Sequence, residues 1–156
     1  MDPLTSAQQQ SRVKGSTYPG VAEGAEVLIG GDIPFDKGYF VSPTVFADVN
    51  HSMTIAKEEI FGPVVAAMPF DDIDDLIQKA NDSNYGLAAG VWTQDLKKAH
   101  QIAHKLQAGT VWVNTYNTFD AASPFGGYKQ SGIGREMGSY ALDNYTEVKS
   151  VWINMD

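Results

Sequence analysis

The sequence contains no cysteine among its 156 residues. This absence excludes disulfides and thiolate metal sites within the chain and fits a reducing compartment. Basic residues are also scarce, because 11 Lys and Arg stand against 19 Asp and Glu, giving a formal net charge of −8. That balance argues against nucleic acid and anionic membranes as partners.

Long hydrophobic runs are missing as well. Apolar stretches such as residues 64–68 and 87–92 fall far short of the roughly 20 residues needed to cross a bilayer. The N-terminus has neither the basic region nor the apolar region of a signal peptide. We therefore expect a cytoplasmic protein with no membrane partner.

The length of 156 residues predicts a single domain, residues 1–156, with a core of its own. Residues 5–14 are predicted to be helical, with Thr5 as the N-cap. Two glycines and a proline within Lys14–Gly20 predict a break in that helix, because neither residue type suits a helix interior. Shorter β-like segments follow at 26–29 and 39–49.

From Pro63 onward the pattern alternates between strands and helices. The apolar residues of the first helix recur at i, i+3, i+4 and i+7, and those of the second form a similar stripe that begins after Thr93, its expected N-cap. The predicted elements are strands at 64–68, 87–92 and 110–114 and helices at 71–80 and 93–106. This order is typical of an α/β fold, an open βαβ-type sheet with flanking helices.

The loop at 115–134 is long for a compact domain, which indicates a functional role. A last helix is predicted near Arg135–Asn144, followed by an alternating strand at 146–154. An edge strand of this kind offers unpaired backbone groups to another chain. Pairing with another chain and coverage within this chain are both open for that strand.

Several patterns that carry chemistry elsewhere have simpler interpretations here. Glu58 and Glu59 are adjacent and would point to opposite faces of an extended segment, so they cannot act as a glycosidase pair. His100 and His104 have metal-ligand spacing, but no further ligand completes a site, and an exposed helical pair is the expectation. Gly132–Gly138 misplaces the third glycine of a dinucleotide fingerprint and follows a loop instead of a strand.

Two separated segments, Lys57–Pro63 and Pro124–Glu136, stand in an order that resembles the C-terminal part of the NAD(P)-dependent aldehyde dehydrogenases. The resemblance runs from about Ser6 to Trp152 and implies that the chain is part of that family's catalytic domain. Within the family, the short apolar and aromatic loop is most similar to the broad-specificity group, including betaine-type members.

The resemblance also implies roles for five residues. Glu59 would accept hydrogen bonds from the nicotinamide ribose, and Phe61 and Leu87 would lie near the nicotinamide. Phe119 and Phe125 would line the mouth of the aldehyde tunnel, where an apolar wall suits an uncharged aldehyde. The implied cofactor is NAD or NADP, and we expect weak or no binding by this chain alone.

In the family mechanism a cysteine thiolate attacks the aldehyde, hydride passes to NAD(P), and a base-activated water releases the acid. The resemblance implies that the cysteine, the general-base glutamate and the Rossmann domain precede this segment. We therefore expect a fragment of an aldehyde dehydrogenase that has no catalytic residue of its own and is inactive alone. It would work with the missing N-terminal half, a full-length relative or copies of itself. The alternative is a non-catalytic assembly module that pairs through its terminal strand.

Overall fold

A computed structural model describes residues 2–156 as two compact units. The first contains the described residues up to Asp75, and the second is Leu76–Asp156. Each unit has its own small sheets and helices, a mixed α/β architecture that confirms the predicted fold class. The single domain over residues 1–156 stays a prediction.

The first helix, α1 (Ala7–Ala22), is continuous, so the predicted break at Lys14–Gly20 is wrong. Its N-cap is Ser6 instead of Thr5: the Ser6 Oγ accepts from the Gln9 N–H at 3.1 Å. Packing overrides helix propensity here. The helix buries Val13, Thr17 and Gly20 along one face, and a Cβ on Gly20 would come within 2.7 Å of Ile55.

The first unit contains a three-stranded sheet in the order β1–β2–β3. Its strands are β1 (Glu26–Ile29), β2 (Thr44–Ala47) and β3 (Val64–Ala66). β1 runs antiparallel to β2 with an irregular register between Val27 and Ile29, whereas β2 and β3 are parallel. A one-turn helix, α2 (Thr54–Lys57), lies between β2 and β3 along the chain.

The core of the first unit joins α1 to this sheet and to α2. Phe46 and Val13 are fully buried. The buried hydrophobic cluster as a whole comprises Val13, Ala25, Phe46, Val49, Met53, Ile55 and Ile60. Because Ile60 belongs to it, the segment that follows α2 is attached directly to the core.

Helix α3 (Ile73–Asn81) confirms the predicted helix at 71–80 within two residues at each end. Asp74 and Asp75 lie in its first turn, where carboxylates complement the positive end of the helix dipole. The Asp72 Oδ1 accepts from the Asp75 N–H at 2.9 Å. Ile73, Leu76 and Ile77 are half-buried, as expected for its apolar face.

The second unit contains one βαβ unit, made by β5 (Ala88–Val91), α4 (Leu96–Lys105) and β6 (Thr110–Val113). β5 and β6 are parallel neighbours, as the alternating pattern predicts. The preceding strand β3 instead pairs with β2, so the predicted alternation does not continue into a single sheet. Two short strands, β4 (Tyr85–Gly86) and β7 (Tyr128–Lys129), pair antiparallel.

Helix α4 begins later than the sequence suggests. Its N-cap is Asp95, whose Oδ1 accepts from the Lys98 N–H at 3.1 Å, and not Thr93. The buried positions are Ala99 and Ile102, whereas Leu96 is 72% exposed. The buried face therefore includes Ile102 in addition to the predicted positions, whereas Leu96, in the first turn, lies outside it.

The C-terminal part differs most from expectation. In place of a helix over Arg135–Asn144, the structure has a 3₁₀ helix at Ser139–Asn144, because the backbone of Glu136 pairs with Phe125 instead. Residues 146–154 pair with no strand among residues 2–156, and Val148 and Trp152 are almost fully exposed. Coverage of this segment within the chain, one of the two open alternatives, is therefore wrong. Within residues 2–156, no helix is long and apolar enough to cross a membrane.

Candidate functional site

The segment Glu59–Gly62 leaves the core of the first unit and is held by side chains of α1. The Gln9 Nε2 donates to the Phe61 carbonyl at 2.6 Å, and the Arg12 Nη2 donates more weakly to the Glu59 carbonyl at 3.4 Å. Ile60 lies between these two contacts and is buried. The segment is thus fixed through its backbone, which leaves the side chains of Glu59 and Phe61 free to face outward.

Phe61 has a backbone conformation that phenylalanine rarely adopts, with φ of +58°. Such a conformation is unfavourable for a bulky residue and persists only where the surroundings enforce it. The next residue, Gly62, packs so closely that a Cβ there would lie 2.6 Å from a methyl group of Val13. The result is a phenylalanine ring that is 71% exposed next to a rigid core.

Glu59 is exposed, and among residues 2–156 no hydrogen bond to its carboxylate is present. A carboxylate offers acceptors to two hydroxyl donors at once, which suits the diol of a ribose. These two outward side chains are the ones that the resemblance assigns to the ribose and the nicotinamide of NAD or NADP, and that assignment stays a prediction. The structure brings these two predicted cofactor residues together in one segment of the first unit.

Leu87, the third predicted cofactor residue, lies in the second unit between β4 and β5. Its carbonyl accepts from the Thr110 N–H at 3.2 Å, and the residue is 42% exposed. It lies just outside β5, although the predicted strand began at this residue, and it is not a core leucine. The partly exposed side chain of Leu87 leaves room for contact with a planar ring.

The two predicted substrate residues, Phe119 and Phe125, are in direct contact in the second unit. Their ring centroids lie 5.1 Å apart in an edge-to-face arrangement. Phe119 also packs edge-to-face on Trp112, at 5.6 Å, and Trp112 on Tyr116, at 5.1 Å. The Trp112 indole N–H donates to the Thr118 carbonyl at 2.8 Å, which fixes the loop onto β6.

This aromatic cluster lines a cavity of about 320 Å³. Its walls are Thr110, Trp112, Thr118, Phe119, Asp120, Ser123, Pro124 and Phe125. The cavity is half-open, and four apolar residues line it together with four polar or charged ones. Asp120 is the one charged residue among these lining residues of the described chain.

Backbone contacts through glycines hold the base of the loop. A Cβ on Gly109 would overlap the Gly126 carbonyl oxygen, so the two backbones are in direct contact. The Phe125 N–H donates to the Glu136 carbonyl at 2.7 Å, and Glu136 donates back at 2.6 Å. The glycines of the Pro124–Glu136 segment thus allow a close backbone approach, and Phe125 is positioned by it.

Sequence reasoning missed four residues that the structure adds to these sites. Gln9 and Arg12 hold the Glu59–Gly62 segment, and Trp112 and Asp120 shape the aromatic cavity. The tryptophan in a strand looks like ordinary core, and Gln9 lies about 50 residues before its partner. No local signal identifies such pairs.

The two helical histidines are both exposed, in agreement with the sequence interpretation. The His104 Nδ1 lies 2.7 Å from the His100 carbonyl oxygen, and the rings are 6.1 Å apart. His, Asp and Glu side chains of residues 2–156 form no group of three that could hold a metal ion.

Comparison with known proteins gives one family for nearly the whole chain. The model of the aldehyde dehydrogenase family matches residues 1–151. DhaS of Bacillus subtilis is 66% identical over 154 residues, which cover 99% of this chain and 31% of that protein. A betaine aldehyde dehydrogenase of Brucella melitensis is 52% identical, with 99% of this chain and 33% of that protein covered.

Solved structures agree over the whole chain. The NAD+ complex of an aldehyde dehydrogenase from Bacillus cereus has 64% sequence identity and a TM-score of 0.95, covering 100% of this chain and 32% of that one. The chain thus spans about a third of the length of the relatives it matches. The chain folds as two compact units, carries the motifs at Lys57–Pro63 and Pro124–Glu136, and is matched over nearly its whole length. It therefore belongs to the aldehyde dehydrogenase family.

Proposed function

We propose that this chain is the C-terminal segment of an NAD(P)-dependent aldehyde dehydrogenase. In the complete enzyme it would bind the nicotinamide end of the cofactor and line the aldehyde cavity. The proposal rests on the outward side chains of Glu59 and Phe61. They belong to a segment whose backbone carbonyls accept hydrogen bonds from side chains of α1. Because the chain spans about a third of its relatives, the complete reaction is assigned only to the larger assembly.

At the cofactor end, Glu59 would accept hydrogen bonds from the ribose hydroxyls, and the Phe61 ring would pack near the nicotinamide. NAD(P) supplies a hydride acceptor when bound. Leu87 would add an apolar contact. Holding the ring in one orientation contributes by positioning, since a reacting group that is already placed avoids an entropic cost during the reaction.

At the aldehyde end, Phe119 and Phe125 would bind the tail of the substrate and exclude water from the reacting carbonyl. Oxidation of an aldehyde in this family requires a thiolate nucleophile, and the 156 residues contain no cysteine. The residues here therefore bind and orient, and the covalent step belongs to residues outside this sequence. We propose a cytoplasmic location for the assembly, in agreement with the composition.

The test compares the isolated chain with a hybrid enzyme. The hybrid is the Bacillus cereus aldehyde dehydrogenase in which the matching third is replaced by residues 1–156 of this protein. Because the identity is 64% and the TM-score is 0.95, we expect the exchange to preserve the fold. We expect NAD-dependent aldehyde oxidation by the hybrid and none by the isolated chain, for which calorimetry should also give weak or undetectable NAD binding.

Two variants of the hybrid connect activity to the proposed residues. Glu59→Gln keeps the shape but weakens hydrogen bonding to the ribose, and we expect kcat to fall by about tenfold or more because positioning is lost. Glu58→Gln, a matched change at the adjacent exposed carboxylate, should leave the rate nearly unchanged. A folded but inactive hybrid, or equal effects of the two variants, would contradict the proposal.

A second candidate function is an assembly module that pairs through its terminal segment, with itself or with a full-length relative. The observation that favours it is a run of exposed apolar side chains at Val148, Val151, Trp152 and Ile153, which are 101%, 70%, 93% and 74% exposed. Surface of this kind is typical of interfaces. Sedimentation of the isolated chain should show self-association that Trp152→Glu weakens, and a monomer at all concentrations would count against it.

A further inference from the structure

The aromatic cavity of the second unit contains a feature that the proposed function does not use. Asp120 directly follows Phe119 and lines the same cavity as Trp112 and Phe125. The other lining residues are uncharged. A single carboxylate on an otherwise neutral, ring-lined wall makes the electrostatic potential there negative.

The orientation of Asp120 is set by its own turn. The Asp120 Oδ1 accepts from the Ala122 N–H at 2.8 Å, and the Asp120 carbonyl accepts from the Ser123 N–H at 2.9 Å. One carboxylate oxygen is thus occupied by the turn, and no hydrogen bond to the other is present among residues 2–156. The turn needs an acceptor at this position, but it does not need a charge, since asparagine forms the same turn.

Asp120 is the lining residue whose charge can distinguish substrates at this wall. The rings of Trp112, Phe119 and Phe125 pack edge-to-face on one another and carry no net charge, so their effect is secondary to that of the carboxylate. An exposed carboxylate attracts a cationic tail and repels an anionic one. Its exposure lets water and salt screen the effect, so the preference is moderate.

We propose that Asp120 determines specificity by charge: the aldehyde cavity accepts substrates with neutral or cationic tails and rejects those with a terminal carboxylate. This inference rests on the proposed function, because it concerns the substrate class of the same cavity. Asp120 neither touches the reacting carbonyl nor takes part in the chemistry. It acts on the far end of the substrate through the potential at the cavity wall.

The test uses the hybrid enzyme at saturating NAD with two substrate pairs that differ mainly in charge. The first pair is trimethylammonioacetaldehyde and its carbon isostere 3,3-dimethylbutanal. The second pair is 4-oxobutanoate and its methyl ester. Within each pair the ratio of kcat/KM is measured, and any difference in intrinsic reactivity cancels when the same ratio is compared between variants.

Asp120→Asn removes the charge and retains the acceptor that the turn requires. We expect it to lower the cation-to-neutral ratio by about threefold to tenfold and to raise the anion-to-neutral ratio by a similar factor. Asp120→Glu, which keeps the charge and changes the turn, should leave both ratios close to those of the unaltered hybrid. Asp143→Asn, a charge-matched change at an exposed residue that does not line the cavity, should leave them within about twofold.

A charge effect changes the kcat/KM ratios of the two substrate pairs in opposite directions, which distinguishes it from a structural effect. A loosened loop would change all four substrates in the same direction. If Asp120→Asn leaves both ratios unchanged in an active hybrid, the specificity proposal is overturned and the proposed function stands. If the unaltered hybrid oxidises none of the four aldehydes although it is folded, the proposed function fails, and the specificity proposal fails with it.

Discussion

The two candidate sites are held in place in different ways. The Glu59–Gly62 segment is attached to a hydrophobic core and clamped by polar side chains of a long helix. The loop that contains Phe119 and Phe125 is held by ring packing on the buried Trp112 and by backbone contacts through glycines. We therefore expect the first arrangement to tolerate the loss of one contact better than the second.

Gly109→Ala should give the largest effect of all, because it breaks the second arrangement at its base. The added Cβ would overlap the Gly126 carbonyl oxygen, and a backbone atom cannot move aside as a side chain can. We expect the hybrid enzyme to lose about 4 kcal/mol or more of unfolding free energy, or to fail to fold. Thermal unfolding followed by circular dichroism measures this, and a melting temperature close to that of the unaltered hybrid would refute it.

Trp112→Phe should have the next largest effect. It removes the hydrogen bond from the indole to the Thr118 carbonyl and leaves a gap, while one aromatic ring remains to pack against Phe119. We expect a loss of about 2 kcal/mol and an increase in KM for the aldehyde with little change in KM for NAD. Steady-state kinetics with each substrate varied in turn distinguishes the two. Equal increases in both would show that the loop is not specific to the aldehyde site.

Gln9→Ala tests the polar clamp on the first segment. The variant loses one partly exposed hydrogen bond, so unfolding free energy should fall by only about 0.5–1 kcal/mol. The Phe61 carbonyl, however, loses its partner, and we expect NAD affinity of the hybrid to fall by about threefold to tenfold. Fluorescence titration with NAD gives the affinity. Gln8→Ala, at an exposed neighbour on α1, is the control and should change neither quantity.

Gly15→Ala should give the smallest effect and the opposite sign. Gly15 is inside α1, and a Cβ there would meet nothing within 4 Å. Alanine favours the helix over glycine, so we expect stabilisation by about 0.5–1 kcal/mol. Together with Gly109→Ala, this gives one chemical change at two glycines whose effects should differ in sign. Destabilisation by Gly15→Ala would show that α1 requires flexibility at this position.

Much of the fold could be predicted from local pattern. The strand at 26–29, the helix at 71–80 and the parallel pair on either side of α4 follow from periodicity and turn residues. The pattern failed at Lys14–Gly20, where buried contacts of Val13, Thr17 and Gly20 outweigh the low helix propensity of glycine and proline. It also failed at Arg135 and Glu136, where a backbone bridge to Phe125 replaces the helix.

The candidate sites were accessible to sequence reasoning only through resemblance. Glu59, Phe61 and Phe125 stand in segments that resemble a family, but nothing in their spacing shows that the first two face outward or that the third touches Phe119. Gln9 and Asp120 were out of reach for a physical reason. One acts through a contact distant along the chain, and the other resembles any turn aspartate until the cavity beside it is visible.

Helix α1 has a consequence for how the protein responds to heat. Val13 is buried in the core. Gln9, one turn earlier on the same helix, donates a hydrogen bond to the Phe61 carbonyl. Fraying of the first turn of α1 would therefore remove the hydrogen bond to the Phe61 carbonyl, and loosen the cofactor segment there, while the rest of the first unit is still folded. Warming should thus weaken dinucleotide retention some degrees before the global melting transition, and a bound dinucleotide should in turn protect the amide protons of that first turn from exchange.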